Sequence, residues 1–307
     1  MPRVSVIVPN YNHLKYLPER LQSIQGQTFR DFEIILLDDC STDGSAEYLE
    51  ALRGTEKVSE VIAGISNSGS AFVQWRKGFA AAKGELIWIA ESDDSCSPFL
   101  LETLVTEFDR DPSCVLAFCA SMLTDEAGEA RGIHPYQQEI GRDLRLDGRE
   151  FARKWLLRNN YVVNASGALF RKSALDGMDT RYTGYRGVGD WLFWTEVALK
   201  GNVAFLYRPL NFFRQHCGNT TSSMKTSGRA LLELRSLLDD FDRLGLHSGS
   251  IWLHDRIYAV HAAKYNPDLP EQARKDALAA WKDNAAISVL AWLREIKRRI
   301  SLKLNRK

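Results

Sequence analysis

Short apolar runs alternate with amphipathic segments through the first 120 residues, and this alternation restricts the chain more than any other feature. Residues 4–8 (VSVIV) form an apolar run broken by Pro9-Asn10-Tyr11-Asn12. Residues 16–25 carry Leu17, Leu21 and Ile24 at helical spacing. Residues 32–37 (FEIILL) end at Asp38-Asp39, and Ser41-Thr42-Asp43 offers N-cap chemistry for a following helix. A third strand is predicted over 58–63, and a helix over 70–83 that Gly84 closes. Residues 86–90 (LIWIA) run into Glu91-Ser92-Asp93-Asp94, Pro98 opens another helix, and 114–123 reads as a buried strand. Strands apolar on both faces, separated by helices, predict an α/β fold: a mostly parallel sheet flanked by helices.

The pattern loosens after residue 125. Helices are predicted over 147–158 and 190–200, and strands over 165–170 and 203–207. After Gly228 only helices are expected, over 229–244, 250–265, 269–283 and 285–304. This divides the chain into an α/β body (1–225) and a helical C-terminal extension (226–307). A formal charge of +1 argues against a bulk polyanion binder, so no nucleic-acid partner is expected. Five cysteines without a CxxC pair are no disulfide framework or zinc site. With no signal-peptide pattern and no apolar stretch near membrane-spanning length, the expectation is a cytoplasmic chain.

In an open α/β sheet, ligands bind at the carboxyl ends of the strands. Two acidic pairs stand there, Asp38-Asp39 and Asp93-Asp94. Clustered carboxylates repel unless a cation or hydrogen-bond donors compensate, and hard oxygen ligands suit Mg²⁺ or Mn²⁺. One such pair reads as a solvated turn; two pairs at strand ends read as a site. Asp190, in Gly187-Val188-Gly189-Asp190-Trp191, is open to two readings, an N-cap or a functional carboxylate.

The motifs VSVIVPNYN (4–12), FEIILLDDCSTDGS (32–45), Asn67…Gly69, AKGELIWIAESDD (82–94), NASGALFRKSAL (164–175), GDWLFW (189–194) and RQHCGNTTSS (214–223) occur in one order. Over roughly 3–223 the chain resembles the family 2 inverting glycosyltransferases of bacterial envelope and polysaccharide synthesis, with the GT-A fold. The resemblance implies a nucleoside-diphosphate-sugar donor and a glycan or lipid-linked acceptor. It implies that Pro9, Tyr11 and Asn12 line the base, that Asp39 hydrogen-bonds it, and that Asn67, Ser92 and Asp93 belong to the donor site. Arg76 is added to that set, although Val73-Gln74-Trp75-Arg76-Lys77 replaces the Ala-Arg-Asn common in relatives. The metal, Mn²⁺ or Mg²⁺, is placed on Asp93 or Asp94 with His216, because the usual first Asp of the motif is Glu91. Asp190 matches the general base. Trp191, Tyr185 and Ser166 are expected near the acceptor, Trp194 in the core, and 217–223 as a candidate closing loop. Three other functions compete: a non-catalytic sugar-nucleotide or glycan-binding module, a nucleotidyltransferase, and a structural protein. PNYNHLKYL lacks the Gly-rich grip on triphosphate that a nucleotidyltransferase needs.

The charge is unevenly spread. Residues 294–307 hold seven cations and one carboxylate, a net +6, which leaves residues 1–293 at −5. Ile287, Leu290, Leu293, Ile296, Ile300 and Leu304 share one helical face beside these cations. Two readings stay open: residues 285–307 lie peripherally on an anionic membrane surface, or the helix packs on the domain with a solvated basic end.

Overall fold

The computed structural model describes residues 1–216, 228–246 and 249–304, without the side chains of 250, 251 and 298–304. Contacts divide the chain into two units. One comprises 1–184 and 189–216, the other 185–188 and 217–307. The expected boundary after residue 225 lies outside the described residues.

The first unit is built on a ten-stranded mixed sheet. Its strands are β1 (Val4–Asn10), β2 (Phe32–Asp38), β3 (Val58–Ala63), β4 (Leu86–Ile89), β5 (Ser95–Cys96), β6 (Cys114–Thr124), β7 (Ala130–Ile133), β8 (Leu144–Asp147), β9 (Ala168–Arg171) and β10 (Asn202–Arg214). The main path runs β3-β2-β1-β4-β9-β6-β10-β5. The predicted parallel ladders join β1 to β2 and β4, and β2 to β3. β9 enters antiparallel between β4 and β6, which the apolar run 165–170 alone could not indicate. The strand expected over 203–207 is far longer. It is buried over 203–206, more exposed over 207–210, extends to Arg214 and pairs in parallel with β6.

Helices α1 (Leu17–Gln25), α2 (Ser45–Glu50), α3 (Ala71–Ala81), α4 (Leu100–Arg110), α5 (Pro135–Ile140), α6 (Gly148–Phe151) and α7 (Gly189–Ala198) accompany the sheet. α1 and α4 bury Leu17, Leu21, Ile24, Leu100, Leu101, Leu104 and Phe108 in a core with Val4, Val6, Ile34 and Leu36. The helix expected over 147–158 continues past α6 as a π-helical turn, Ala152–Leu156. Gly84 is not the cap of α3. A Cβ there would stand 2.6 Å from the Ser5 backbone nitrogen, so the glycine permits close approach to β1.

The second unit contains α8 (Arg229–Arg243), α9 (Gly249–Tyr265), α10 (Glu271–Ala280) and α11 (Ala285–Leu304). Ala263, Leu269 and Ala277 form a small core there.

Candidate active site

Parallel pairing puts both acidic pairs at one sheet edge. Asn10 is in register with Asp38, and Ile7 with Ile89, so β2 and β4 deliver their carboxylates on either side of β1. The two pairs then diverge in role. Asp38 accepts from Asn10 Nδ2 at 3.0 Å and from the Ser41 backbone N–H at 2.8 Å, which fixes the turn. Asp39 accepts from the Ser68 hydroxyl at 2.7 Å, from the Ser68 backbone N–H and from Gln74 Nε2. Asp39 therefore orders the 67–69 loop. Asn67 closes that loop from the other side, accepting from Gly69 N–H at 2.6 Å and donating to the Asp39 carbonyl.

Pro9 is buried in β1, whereas Tyr11 and Asn12 are exposed just beyond it. Asn12 adopts φ 55° and accepts from the Thr42 N–H at 2.7 Å, joining the two loops. Arg76 stands exposed on α3.

The Glu91–Asp94 motif separates its carboxylates by environment. Glu91 accepts from the Trp75 indole at 2.9 Å. Burial, together with the charge on Asp93, pushes its pKa up to about 8. Asp94 is buried and accepts from Ser166 Oγ at 2.6 Å, Asn164 Nδ2 at 2.9 Å and the Arg214 N–H at 3.0 Å. Burial and the Asp93 charge push it up to about 7. These three donors tie Asp94 to β9's approach and to β10. Arg20 lies beside this group, fully buried, with its guanidinium 4.8 Å from the Trp88 ring. It supplies a fixed positive charge near Glu91 and Asp94.

Asp93 points elsewhere. Its carboxylate meets His216 Nε2 at 3.0 Å. Burial opposes ionisation there, but the His216 hydrogen bond and the charge on His13 hold the pKa below the usual carboxylate range. The Asp93 hydrogen bond raises His216. Burial lowers His13, whose Nδ1 lies 2.8 Å from Ser92 Oγ. Ligand atoms of His13, Asp93 and His216 lie within 4.8 Å of one another, a cluster with two nitrogens and one oxygen that could hold a divalent cation. His13 escaped the sequence analysis, although it directly follows the Pro9–Asn12 segment. Arg214 escaped it too. Buried, it donates through Nε to the Asp93 carbonyl at 2.9 Å and through Nη2 to Glu19 at 2.6 Å, clamping the motif to α1. Its signal was its place in the Arg-x-His segment.

Asp190 lies in the first turn of α7. Gly189 opens that helix because a Cβ would strike the Tyr182 carbonyl at 2.4 Å and the Phe72 ring at 2.5 Å. Asp190 accepts from Asn160 Nδ2 at 2.8 Å and from the adjacent Trp191 N–H at 2.8 Å. Burial pushes its pKa up to about 7. A carboxyl group with a pKa near neutrality can exchange a proton there. The same helix reaches the acidic motif through packing: Phe193 and Trp194 contact the Trp75 ring, whose indole binds Glu91. Trp194 is fully buried, a core residue as expected.

The three expected acceptor contacts fare differently. Tyr185 belongs to the second unit, where it is buried and donates to Asp240 at 2.5 Å, so its ring is not available to a sugar. Ser166 is buried, donates to Asp94 and accepts from the Glu91 N–H at 3.0 Å. Ser166→Ala should therefore lower stability by about 1–3 kcal/mol, because it strips two buried partners. Urea unfolding measures this, and wild-type stability would contradict a scaffold role. Trp191 is partly exposed, with its indole nitrogen donating to the Leu156 carbonyl at 2.6 Å. The candidate closing loop, 217–223, lies outside the described residues.

Residues 5–178 match the family described as glycosyl transferase family 2. Among curated relatives, the glycosyltransferase GlyG of Streptococcus pneumoniae is 41% identical over 111 residues, 35% of this chain and 36% of that protein. The putative teichuronic acid biosynthesis glycosyltransferase TuaG of Bacillus subtilis is 32% identical over 127 residues, 41% of this chain and 50% of that one. The chain thus spans between a third and a half of the first curated relatives it matches. Solved structures share the fold. S. aureus TarS 1-349 in complex with UDP-GlcNAc superposes with a TM-score of 0.67 at 19% identity, covering 97% of this chain and 92% of that one. The mannosyltransferase PcManGT from Pyrobaculum calidifontis, in complex with GDP-Man and Mn²⁺, gives 0.56 at 18% identity, with coverages of 99% and 81%. The match over more than half the chain is decisive: this chain belongs to glycosyl transferase family 2.

Proposed function

We propose that the protein moves a sugar, with inversion, from a nucleoside-diphosphate-sugar donor to a hydroxyl of a glycan or lipid-linked acceptor. The observation that carries this reading is Asp190 in the first turn of α7, held by Asn160 Nδ2 at 2.8 Å, with its pKa pushed up to about 7. Its protonation state near neutrality lets it take the acceptor hydroxyl proton as the new glycosidic bond forms. The acidic edge of the sheet lies where the donor diphosphate binds. Pro9, Tyr11, Asn12 and the Asp39-ordered 67–69 loop border the base and ribose, and Arg76, exposed on α3, is assigned to the donor as well. His13, Asp93 and His216 would hold Mn²⁺ or Mg²⁺, which would supply positive charge to the leaving diphosphate. Asp94, Ser166, Asn164 and Arg214 keep Asp93 in place.

The names and structures of relatives support this reading: TarS is named a poly(ribitol-phosphate) β-N-acetylglucosaminyltransferase, and its solved complex holds UDP-GlcNAc. The alternative, a non-catalytic sugar-nucleotide-binding module, has no use for a carboxylate held near neutrality. A thermal-shift screen of UDP-, GDP- and dTDP-sugars with Mn²⁺ tests the donor. At a hundred times Kd the matching donor should stabilise the fold by about 2.7 kcal/mol. Silence across the panel would overturn the nucleotide-sugar assignment.

A further inference from the structure

Helix α11 has two unlike sides. Ile287, Ala291 and Glu295, four residues apart, are buried. Glu295 is only 3% exposed, and its carboxylate meets His261 Nε2 of α9 at 3.0 Å. The other side carries Val289, Leu290, Trp292 and Leu293, all between 39% and 55% exposed. The shared apolar face expected from sequence is therefore split: Ile287 turns inward while Leu290 and Leu293 remain outside. Beside the outer row, the Arg294 guanidinium lies 5.1 Å from the ring of Tyr258, itself exposed, and Lys297 is exposed. Glu295 is the one carboxylate within 294–307, against seven cations. Its inward pairing with His261 removes from the outer side the group that would repel an anionic surface.

We propose that this outer face of α11 docks in the interface plane of an anionic lipid bilayer. The apolar row meets the acyl boundary, Trp292 sits at head-group depth, and Arg294 and Lys297 face lipid phosphates. Among the described residues no helix is long and apolar enough to cross a membrane, so the contact is peripheral. A bilayer fits the combination better than a second copy of this chain. Self-association would cover the apolar row but would offer Arg294 and Lys297 no carboxylate from this stretch, since Glu295 is turned inward. The proposal stands on α11 and is independent of the sugar-transfer reading.

The test is flotation of the full chain with phosphatidylcholine vesicles, with and without phosphatidylglycerol, at low and high salt. Wild type should float with the anionic vesicles alone and lose binding as salt rises. Leu293→Glu should weaken partitioning about tenfold or more. Arg294→Gln with Lys297→Gln, which leaves the apolar row intact, should weaken it as well and guards against misfolding of the first variant. Equal recovery on both vesicle types overturns the proposal, as does wild-type flotation of both variants. A lipid-free dimer that Leu293→Glu dissociates would make a second copy the occupant, also overturning it. Donor-dependent melting, scored on the same samples, reports the transfer reading separately.

Discussion

Asp190→Asn is expected to lower the transfer rate by about 10²–10⁴-fold, the usual contribution of a positioned general base. The substitution keeps the side chain's shape and a partner for Asn160 Nδ2, but the amide cannot accept the acceptor proton. Donor affinity should stay near wild type, because no donor contact is assigned to Asp190. Wild-type kcat/KM should fall as pH drops through about 7, where the carboxylate protonates. The residual activity of the variant should lack that limb. Stability carries an independent sign. Burial raises the native pKa of Asp190 from 3.8 to about 7, so between these values the native state holds a proton that the unfolded chain releases. Wild-type stability therefore falls as pH rises through this window, and above about 7 the full cost of the buried charge is present. Asp190→Asn should then be more stable than wild type above pH 7 by roughly 2–4 kcal/mol, with the difference vanishing below about pH 4. A variant that is slower and more stable at high pH is the pattern of a strained functional carboxylate. Near-wild-type turnover would remove Asp190 from the mechanism.

Where the sequence was legible, physical periodicity was the reason. β1, β2 and β4 are apolar on both faces because helices cover both sides of the sheet, so their runs and the acidic groups ending them stand out. Strand direction has no such signature. β9 resembles any short apolar run, and its antiparallel entry depends on how the chain returns across the sheet. The site divides similarly. A motif shows which carboxylates stand together but not which of them the protein consumes itself. Asp39 and Asp94 accept from Ser68, Gln74, Ser166, Asn164 and Arg214, whereas Asp93 faces imidazoles. Ser166 and Tyr185 misled because hydroxyl chemistry alone does not tell a sugar contact from a buried partner. His13 and Arg214 lie about 200 residues apart in sequence, and only the sheet brings both to the acidic motif.

Chelation should abolish transfer, with a loss on the order of 10²–10³-fold, since a cation at a leaving diphosphate supplies several kcal/mol of charge stabilisation. The donor set sharpens which ion restores it. Asp93 contributes one oxygen, and His13 and His216 contribute two nitrogens. Mg²⁺ demands oxygen ligands in near-ideal octahedral geometry, whereas Mn²⁺, itself oxygen-preferring, tolerates imidazole nitrogen beside carboxylate oxygen. Mn²⁺ should therefore rescue EDTA-treated protein at lower concentration than Mg²⁺. The protonation states pull in opposite directions: burial holds His13 below its ordinary value and Asp93 is held below the usual carboxylate range, which favour loading, whereas the Asp93 hydrogen bond raises His216, which must give up its proton to bind the ion. His13→Ala should weaken Mn²⁺ binding at least about tenfold, by loss of one of three ligands. It should also narrow the gap between Mn²⁺ and Mg²⁺, because the remaining set is less nitrogen-rich. Titration calorimetry with Mn²⁺ alone reads the affinity, and transfer assays across both ions read the preference. Undiminished activity in EDTA would overturn the cation assignment, whereas Mn²⁺ affinity unchanged in His13→Ala would leave the ion to Asp93 and His216 and return His13 to Ser92.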